Sequence, residues 1–155
     1  ERALAPLPAN AREAATVVKW NADFTHEVVK QGTGPLVCYD QSGQPGEQPF
    51  SAQCTSMANL PRVAQNRKFE AVADREARTK MLAEAEANGT RVKPQYGSMW
   101  IAMSGKDMAS ARVHTTIAVP GATGKTTGLP EDNKQGGAYL MGAGTSTAHI
   151  MVPGR

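Results

Sequence analysis

Cys38 and Cys54 are the only two cysteines in this chain of 155 residues, and they bracket a segment rich in Gly, Pro, Ser and Gln. Closing a flexible loop of about fifteen residues with a disulfide removes roughly 3 kcal/mol of conformational entropy from the unfolded chain. Disulfides persist in oxidising compartments, so a Cys38–Cys54 bond predicts a protein that works outside the cytoplasm. The alternative interpretation is two unrelated buried thiols.

His114 and His149 are the side chains best suited to general base chemistry in this sequence. Small residues flank Ser146 as they do in a serine nucleophile elbow, but an elbow precedes its acid and histidine, and only six residues follow His149. We therefore expect no hydrolase of the elbow type. A triad assembled in space stays open, because its members need not be neighbours in sequence. Its acid would be one of four aspartates, Asp23, Asp40, Asp107 or Asp132.

Met99, Met103, His149 and Met151 carry the thioether and imidazole groups that copper(I) prefers. Met99 and Met103 are two strand periods apart, which is the spacing of core residues on one face of a strand. Unbranched Met often fills gaps in an alanine-rich interior, so the spacing favours core packing over a metal site. We therefore predict no metal and no cofactor, with copper(I) or small-ligand binding kept as an alternative.

The segment from Gly121 to Thr127 contains the Gly-Lys-Thr core of a phosphate-binding P-loop. Val119 stands where that motif needs its first glycine, and the stretch from Gly128 to Pro130 would end a helix at once. We expect an exposed loop here, without a nucleotide.

Composition excludes several classes of protein. The chain is 40% hydrophobic with 5% aromatic residues, and no apolar run approaches the roughly 20 residues that a membrane-spanning helix requires. The net charge is +3, but basic and acidic residues are interspersed, so we expect no nucleic-acid partner. The chain begins at Glu1 rather than Met, and its first residues are typical of a mature exported protein, so we expect that a signal peptide was removed.

The apolar patterns predict an α+β fold, in which an antiparallel sheet of short strands packs with one long helix over about residues 62–88. Apolar residues at every fourth position from Phe69 to Ala85 predict the helix, and Asn88 with Gly89 predicts its end. Residues 1–14 are expected to form an extended or helical arm, and residues 15–155 a single disulfide-bearing domain. Seven segments are predicted to be strands, namely 15–20, 25–30, 35–39, 96–103, 113–119, 138–141 and 148–152.

Two segments carry a resemblance to known sequences, Gly34-Pro35-Leu36-Val37-Cys38-Tyr39 through to Cys54, and Ala148-His149-Ile150-Met151-Val152-Pro153. Here the chain resembles a group of uncharacterised bacterial proteins that carry signal peptides. Those proteins pair a Gly-x-x-x-Cys strand with a second Cys before a helix, and they end in a His-x-Met segment. The resemblance implies export and one disulfide-bearing domain, and it implies no known activity.

The sequence therefore predicts a secreted or periplasmic bacterial protein that is not an enzyme and acts by association. Exposed strand edges pair readily, so we expect a homo-oligomer or a filament-forming structural subunit, with the extracellular surface as a further location. The segments expected to make subunit contacts are Leu140–Thr145 and Glu1–Pro8. The alternatives are a small exported hydrolase that uses His149 or His114, and a copper(I) or small-ligand binding protein.

Overall fold

The computed structural model describes residues 1–152 of the chain. Its helices are two short 3-10 turns, Arg2–Leu4 and Met57–Asn59, and four α-helices, α1 (Ala9–Arg12), α2 (Leu60–Glu70), α3 (Arg75–Ala87) and α4 (Gly124–Thr127). Its strands are β1 (Thr16–Trp20), β2 (His26–Lys30), β3 (Leu36–Asp40), β4 (Phe50–Ser56), β5 (Met99–Gly105), β6 (Arg112–Ala118), β7 (Tyr139–Met141) and β8 (His149–Val152).

The strands form an eight-stranded mixed sheet in the order β2-β1-β3-β4-β5-β6-β8-β7. The α+β prediction is confirmed at that level, but the sheet is not wholly antiparallel, because β1 and β3 run parallel. The chain turns back after β2 and adds β3 on the far side of β1. Gly32 lies at that crossing. The position requires glycine, because a Cβ atom there would overlap the backbone of Ala14 and Ala15.

The strand β4 was missed by the sequence prediction, which treated residues 39–49 as a disulfide loop followed by a helix entry. β4 runs antiparallel to both β3 and β5, so it is an interior strand of the sheet. Ser51, Ala52 and Thr55 are buried in it although they are small or polar. Such a strand lacks the apolar alternation by which strands are recognised in a sequence.

The predicted single long helix is wrong, because the structure has two helices, α2 and α3, separated by residues 71–74. Asp74 causes the interruption. Its backbone is extended, and its side chain accepts a hydrogen bond from the Ala77 N–H at 2.6 Å, so it caps the start of α3. The sequence analysis placed Asp74 inside the helix, where the four-residue apolar repeat continues through the cap without a change.

Residues 1–57 and 100–115 form one compact unit around a confirmed disulfide between Cys38 and Cys54. The two cysteines lie directly opposite each other on β3 and β4, with 4.1 Å between their Cα atoms. Both are fully buried, and they pack with Leu7, Ala15 and Ile101. The bond indicates an oxidising compartment rather than the cytoplasm.

Residues 58–99 and 116–152 form a second compact unit. Its core cluster consists of Val119, Ala122, Leu140 and Ala148. The predicted division into an arm, 1–14, and one domain, 15–155, stays a prediction, and residues 153–155 lie outside the described residues. In the part of the chain that is described, no helix is long and apolar enough to cross a bilayer.

Candidate functional site

The β7–β8 hairpin presents an unusual set of side chains on one face. Leu140 lies opposite Ile150, and Leu140 is fully buried in the core cluster of its unit. Side chains alternate along a strand, so the residues on either side of this pair point to the opposite face. That face carries two cross-strand pairs, Tyr139 opposite Met151 and Met141 opposite His149. We call these four residues the Met/His face.

His149 is held in one tautomer. Its Nδ1 lies 2.7 Å from the backbone oxygen of Thr147. A carbonyl oxygen can only accept a hydrogen bond, so Nδ1 carries the hydrogen. In the neutral ring the lone pair is then on Nε2, which is the nitrogen available to a ligand.

A partly buried polar network fixes the loop that joins β7 to β8. Ser146 donates its backbone N–H to Glu86 Oε1 at 2.5 Å and its hydroxyl to Glu86 Oε2 at 2.7 Å. Arg62 donates to the Ser146 hydroxyl at 3.1 Å and to the Thr147 hydroxyl at 3.2 Å. Residues from α2 and α3 thus hold the loop immediately before His149. We call Arg62, Glu86, Ser146 and Thr147 the Ser146 network.

The charges in this network are perturbed by their surroundings. Arg62 is 4% exposed, and its pKa is lowered to about 10, chiefly by this burial. Repulsion from Arg91 adds to the lowering of the pKa, and attraction by Glu86 offsets part of the shift. Arg62 therefore stays protonated at neutral pH and keeps donating. Burial acts to raise the pKa of Glu86, but hydrogen bonds from Ser146 and attraction by Arg62 and Arg91 outweigh it, so the pKa lies below its ordinary value.

The suspected nucleophile Ser146 is part of this anchoring arrangement. Its side chain is buried, and its hydroxyl donates to the Glu86 carboxylate and accepts from the Arg62 guanidinium. Sequence reasoning noticed Ser146 but missed Arg62 and Glu86, because their partners are 84 and 60 residues away. No local pattern connects residues at such separations.

The predicted catalytic histidines lie on different strands, His114 on β6 and His149 on β8. The four candidate acids accept hydrogen bonds from residues two or three positions later, Asp23 from Thr25, Asp40 from Ser42, Asp107 from Ser110 and Asp132 from Lys134. Asp40 also accepts a hydrogen bond from the distant Arg2. Within residues 1–152 each of these carboxylates therefore serves a turn rather than a histidine. The hydrolase alternative stays a prediction without geometric support.

The predicted metal ligands divide between two strands. Met99 and Met103 lie on β5, with Met99 exposed and Met103 partly buried. His149 and Met151 lie on β8, on the Met/His face. The register adds Met141, which the sequence analysis omitted, because only the pairing of β7 with β8 places it opposite His149. No cluster of three or more His, Cys, Asp or Glu side chains suited to a metal is present among residues 1–152.

The segment that resembles a P-loop contains a one-turn helix, α4, where an exposed loop was predicted. Thr123 caps α4, and Gly128 ends it with a left-handed backbone, φ 71°. The Gly124 N–H donates to Glu131 Oε1 at 2.6 Å. A carboxylate of the chain itself thus occupies the place where the motif would hold a phosphate.

A separate feature lies on β2, the first strand in the sheet order. Val28 and Val29 are 51% and 65% exposed, although they are adjacent in a strand. Val28 lies opposite Val18, which is 2% exposed. The buried side of β1 therefore continues onto β2, where it is left uncovered.

In three comparisons with known proteins, no protein-family model, no curated protein and no solved structure matched this chain. The resemblance to exported bacterial proteins therefore stays a prediction.

Proposed function

We propose that this protein is exported and acts without catalysis, by association with a second copy of itself through β2. The observation that carries the proposal is the pair of exposed valines, Val28 and Val29, on a strand at one end of the sheet. Strand edges present backbone groups that can pair with another chain, and exposed apolar side chains add a reason to do so.

The side chains around β2 support a contact surface rather than a solvated edge. Val28 extends the buried side of β1, which also carries Trp20. Trp20 in turn makes an edge-to-face contact with His26 of β2, with 5.1 Å between the ring centroids. A second copy placed along β2 would cover Val28 and lengthen this apolar and aromatic row. Burying a valine side chain contributes about 1.5–3 kcal/mol.

The form of β2 favours a closed dimer over an open filament. The register between β1 and β2 shifts between Val17 and Val18, so that one extra residue, Val29, bulges from β2. Bulges twist an edge strand and limit how far a new strand can pair with it. Two copies of a short edge can still pair about a twofold axis, which closes the assembly.

Export is supported by the disulfide, whose sulfurs are fully buried beneath the amino-terminal residues such as Leu7. A bond built into the core in this way needs an oxidising compartment during folding. The resemblance to exported bacterial proteins supports the same location, and we propose the periplasm or the extracellular medium.

Sedimentation velocity of the oxidised protein over a range of concentrations tests the association. We expect a dimer that dissociates in the double variant Val28→Thr with Val29→Thr, which keeps β-branched side chains but removes apolar surface. Val113→Thr on β6 is the matched control, since Val113 is 44% exposed, and it should leave the dimer intact. A wild-type protein that stays monomeric at every concentration would contradict the proposal, and fibres in electron micrographs would contradict its closed form.

A further inference from the structure

We propose that the Met/His face is a copper(I) site in which the Met141 and Met151 thioethers and His149 Nε2 are the ligands. This inference goes beyond the association proposed above and does not depend on it. Thioethers are soft ligands that select copper(I), and imidazole binds the same ion.

The register of the hairpin brings the three ligands together. Met141 lies directly opposite His149 in the β7–β8 ladder, and Met151 is two residues beyond His149 on the same face. Directly opposed residues in an antiparallel pair have Cβ atoms about 4.5–5.5 Å apart, and diagonal neighbours are within reach of long side chains. Met has three rotatable side-chain bonds, so both sulfurs can turn toward the ring nitrogen.

Exposure separates Met141 from core methionines, whereas Met151 is partly buried. The inward residue Leu140 is fully buried, whereas its neighbour Met141 is 43% exposed. Gap filling in an alanine-rich core therefore does not account for Met141. The solvent-facing side of an antiparallel pair is normally polar, so the exposed Met141 thioether, with the Met151 thioether on the neighbouring strand of the same face, indicates a role for sulfur.

The imidazole is prepared for a metal by its hydrogen bond. A metal-binding histidine almost always donates its other ring N–H to a carboxylate, a backbone carbonyl or water. His149 Nδ1 makes such a bond to the Thr147 carbonyl at 2.7 Å. Thr147 is held in turn by Arg62 at 3.2 Å, so the Ser146 network restricts the orientation of the ring.

The compartment explains why the soft ligands would be thioethers. Both cysteines of the chain are joined in the disulfide, and no free thiol is present among the described residues. A thioether cannot form a disulfide, so the oxidation that joins the two thiols of this chain does not remove it as a ligand for a soft ion. A copper(I) site in such a protein is therefore expected to use Met and His rather than Cys.

Competition between the purified, oxidised protein and a colorimetric copper(I) chelator, carried out without oxygen, tests the site. We expect one copper(I) per chain, with the affinity lowered at least about tenfold in both Met141→Leu and Met151→Leu, because even outer partners of a metal site contribute that much. Leucine keeps the volume and apolar character of methionine while removing the sulfur. Met81→Leu on α3 is the matched control, since Met81 is 41% exposed.

A second measurement locates the ion directly. Silver(I), which has the same preference for soft ligands and no redox chemistry, is titrated into protein labelled at the methionine methyl groups. The methyl resonances of Met141 and Met151 should move together and saturate at one equivalent, while that of Met81 stays in place. Failure to compete with the chelator, equal affinity in all three leucine variants, or movement of the Met81 resonance in step with the others would overturn the proposal.

Discussion

The Ser146 hydroxyl donates to the Glu86 carboxylate at 2.7 Å across 60 residues of sequence, and the Ser146 backbone N–H donates to the other oxygen of the same carboxylate. Two hydrogen bonds from one residue to one carboxylate fix both the position and the direction of the loop before β8. The Met/His face depends on that loop, because His149 follows Ser146 by three positions.

Replacing Glu86 should destabilise the unit that contains it. In Glu86→Gln the amide cannot accept both hydrogen bonds from Ser146, and buried Arg62 loses its nearby opposite charge. We expect the free energy of unfolding to fall by about 1–3 kcal/mol in urea denaturation. Glu84→Gln on the same helix is the control, since the Glu84 side chain makes an exposed ion pair with Lys80, and the substitution should cost less than about 1 kcal/mol. An equal loss of unfolding free energy in the two variants would show that the contacts between Glu86 and Ser146 do not contribute to stability.

The same carboxylate should make stability depend on pH in the acid range. The pKa of Glu86 lies below its ordinary value of 4.5, so the unfolded chain takes up the proton at a higher pH than the folded chain. The stability that Glu86 contributes is complete above the ordinary value and is lost as the pH falls through the lower, folded value.

Urea denaturation at a series of pH values measures this loss. Asp23, Asp40 and Asp107 also have lowered pKa values and act in the same direction, so wild type is compared with Glu86→Gln, in which those groups are unchanged. The difference between the two stability curves should shrink as the pH falls below about 4.5. A difference that stays constant into strong acid would contradict the assignment.

Removing the disulfide should cost stability without changing the sheet order. In the double variant Cys38→Ala with Cys54→Ala, we expect the free energy of unfolding to fall by about 2–4 kcal/mol, because the unfolded chain regains its freedom. Both sulfurs are fully buried in the wild-type protein, so a reductant should react only when the structure opens. Alkylation followed by mass spectrometry measures that reaction, and rapid reduction of the folded protein would show that the sulfurs are accessible.

Gly32 should tolerate no side chain. A Cβ atom there would overlap the backbone of Ala14 and Ala15 at the point where the chain crosses the start of β1. We expect Gly32→Ala to destabilise the protein by at least about 1–3 kcal/mol, measured by thermal or urea denaturation. Gly137→Ala is the control, since a Cβ atom at Gly137 would meet nothing within 4 Å. Similar stability in both variants would mean that the crossing can relax around a methyl group.

Local patterns determined those parts of this protein that depend on near neighbours in sequence. Alternation of apolar residues indicated β6, and short apolar runs indicated β7 and β8 but not their pairing. The two lone cysteines indicated the disulfide and its oxidising compartment. The sequence did not predict the break between α2 and α3, because the apolar repeat continues without a change through Asp74. The capping role of Asp74 is seen only in its hydrogen bond with the Ala77 N–H.

The tertiary structure alone decided which distant residues meet. The sequence around Ser146 does not predict its contacts with Glu86 and Arg62. The sequence around His149 likewise does not predict that Met141 lies opposite it. Strand register and the packing of α2 and α3 bring these groups together, and both follow from burying apolar surface over the whole chain rather than from any local preference. The residue types were therefore readable from the sequence, while their partners, and with them the candidate site, were set by long-range packing.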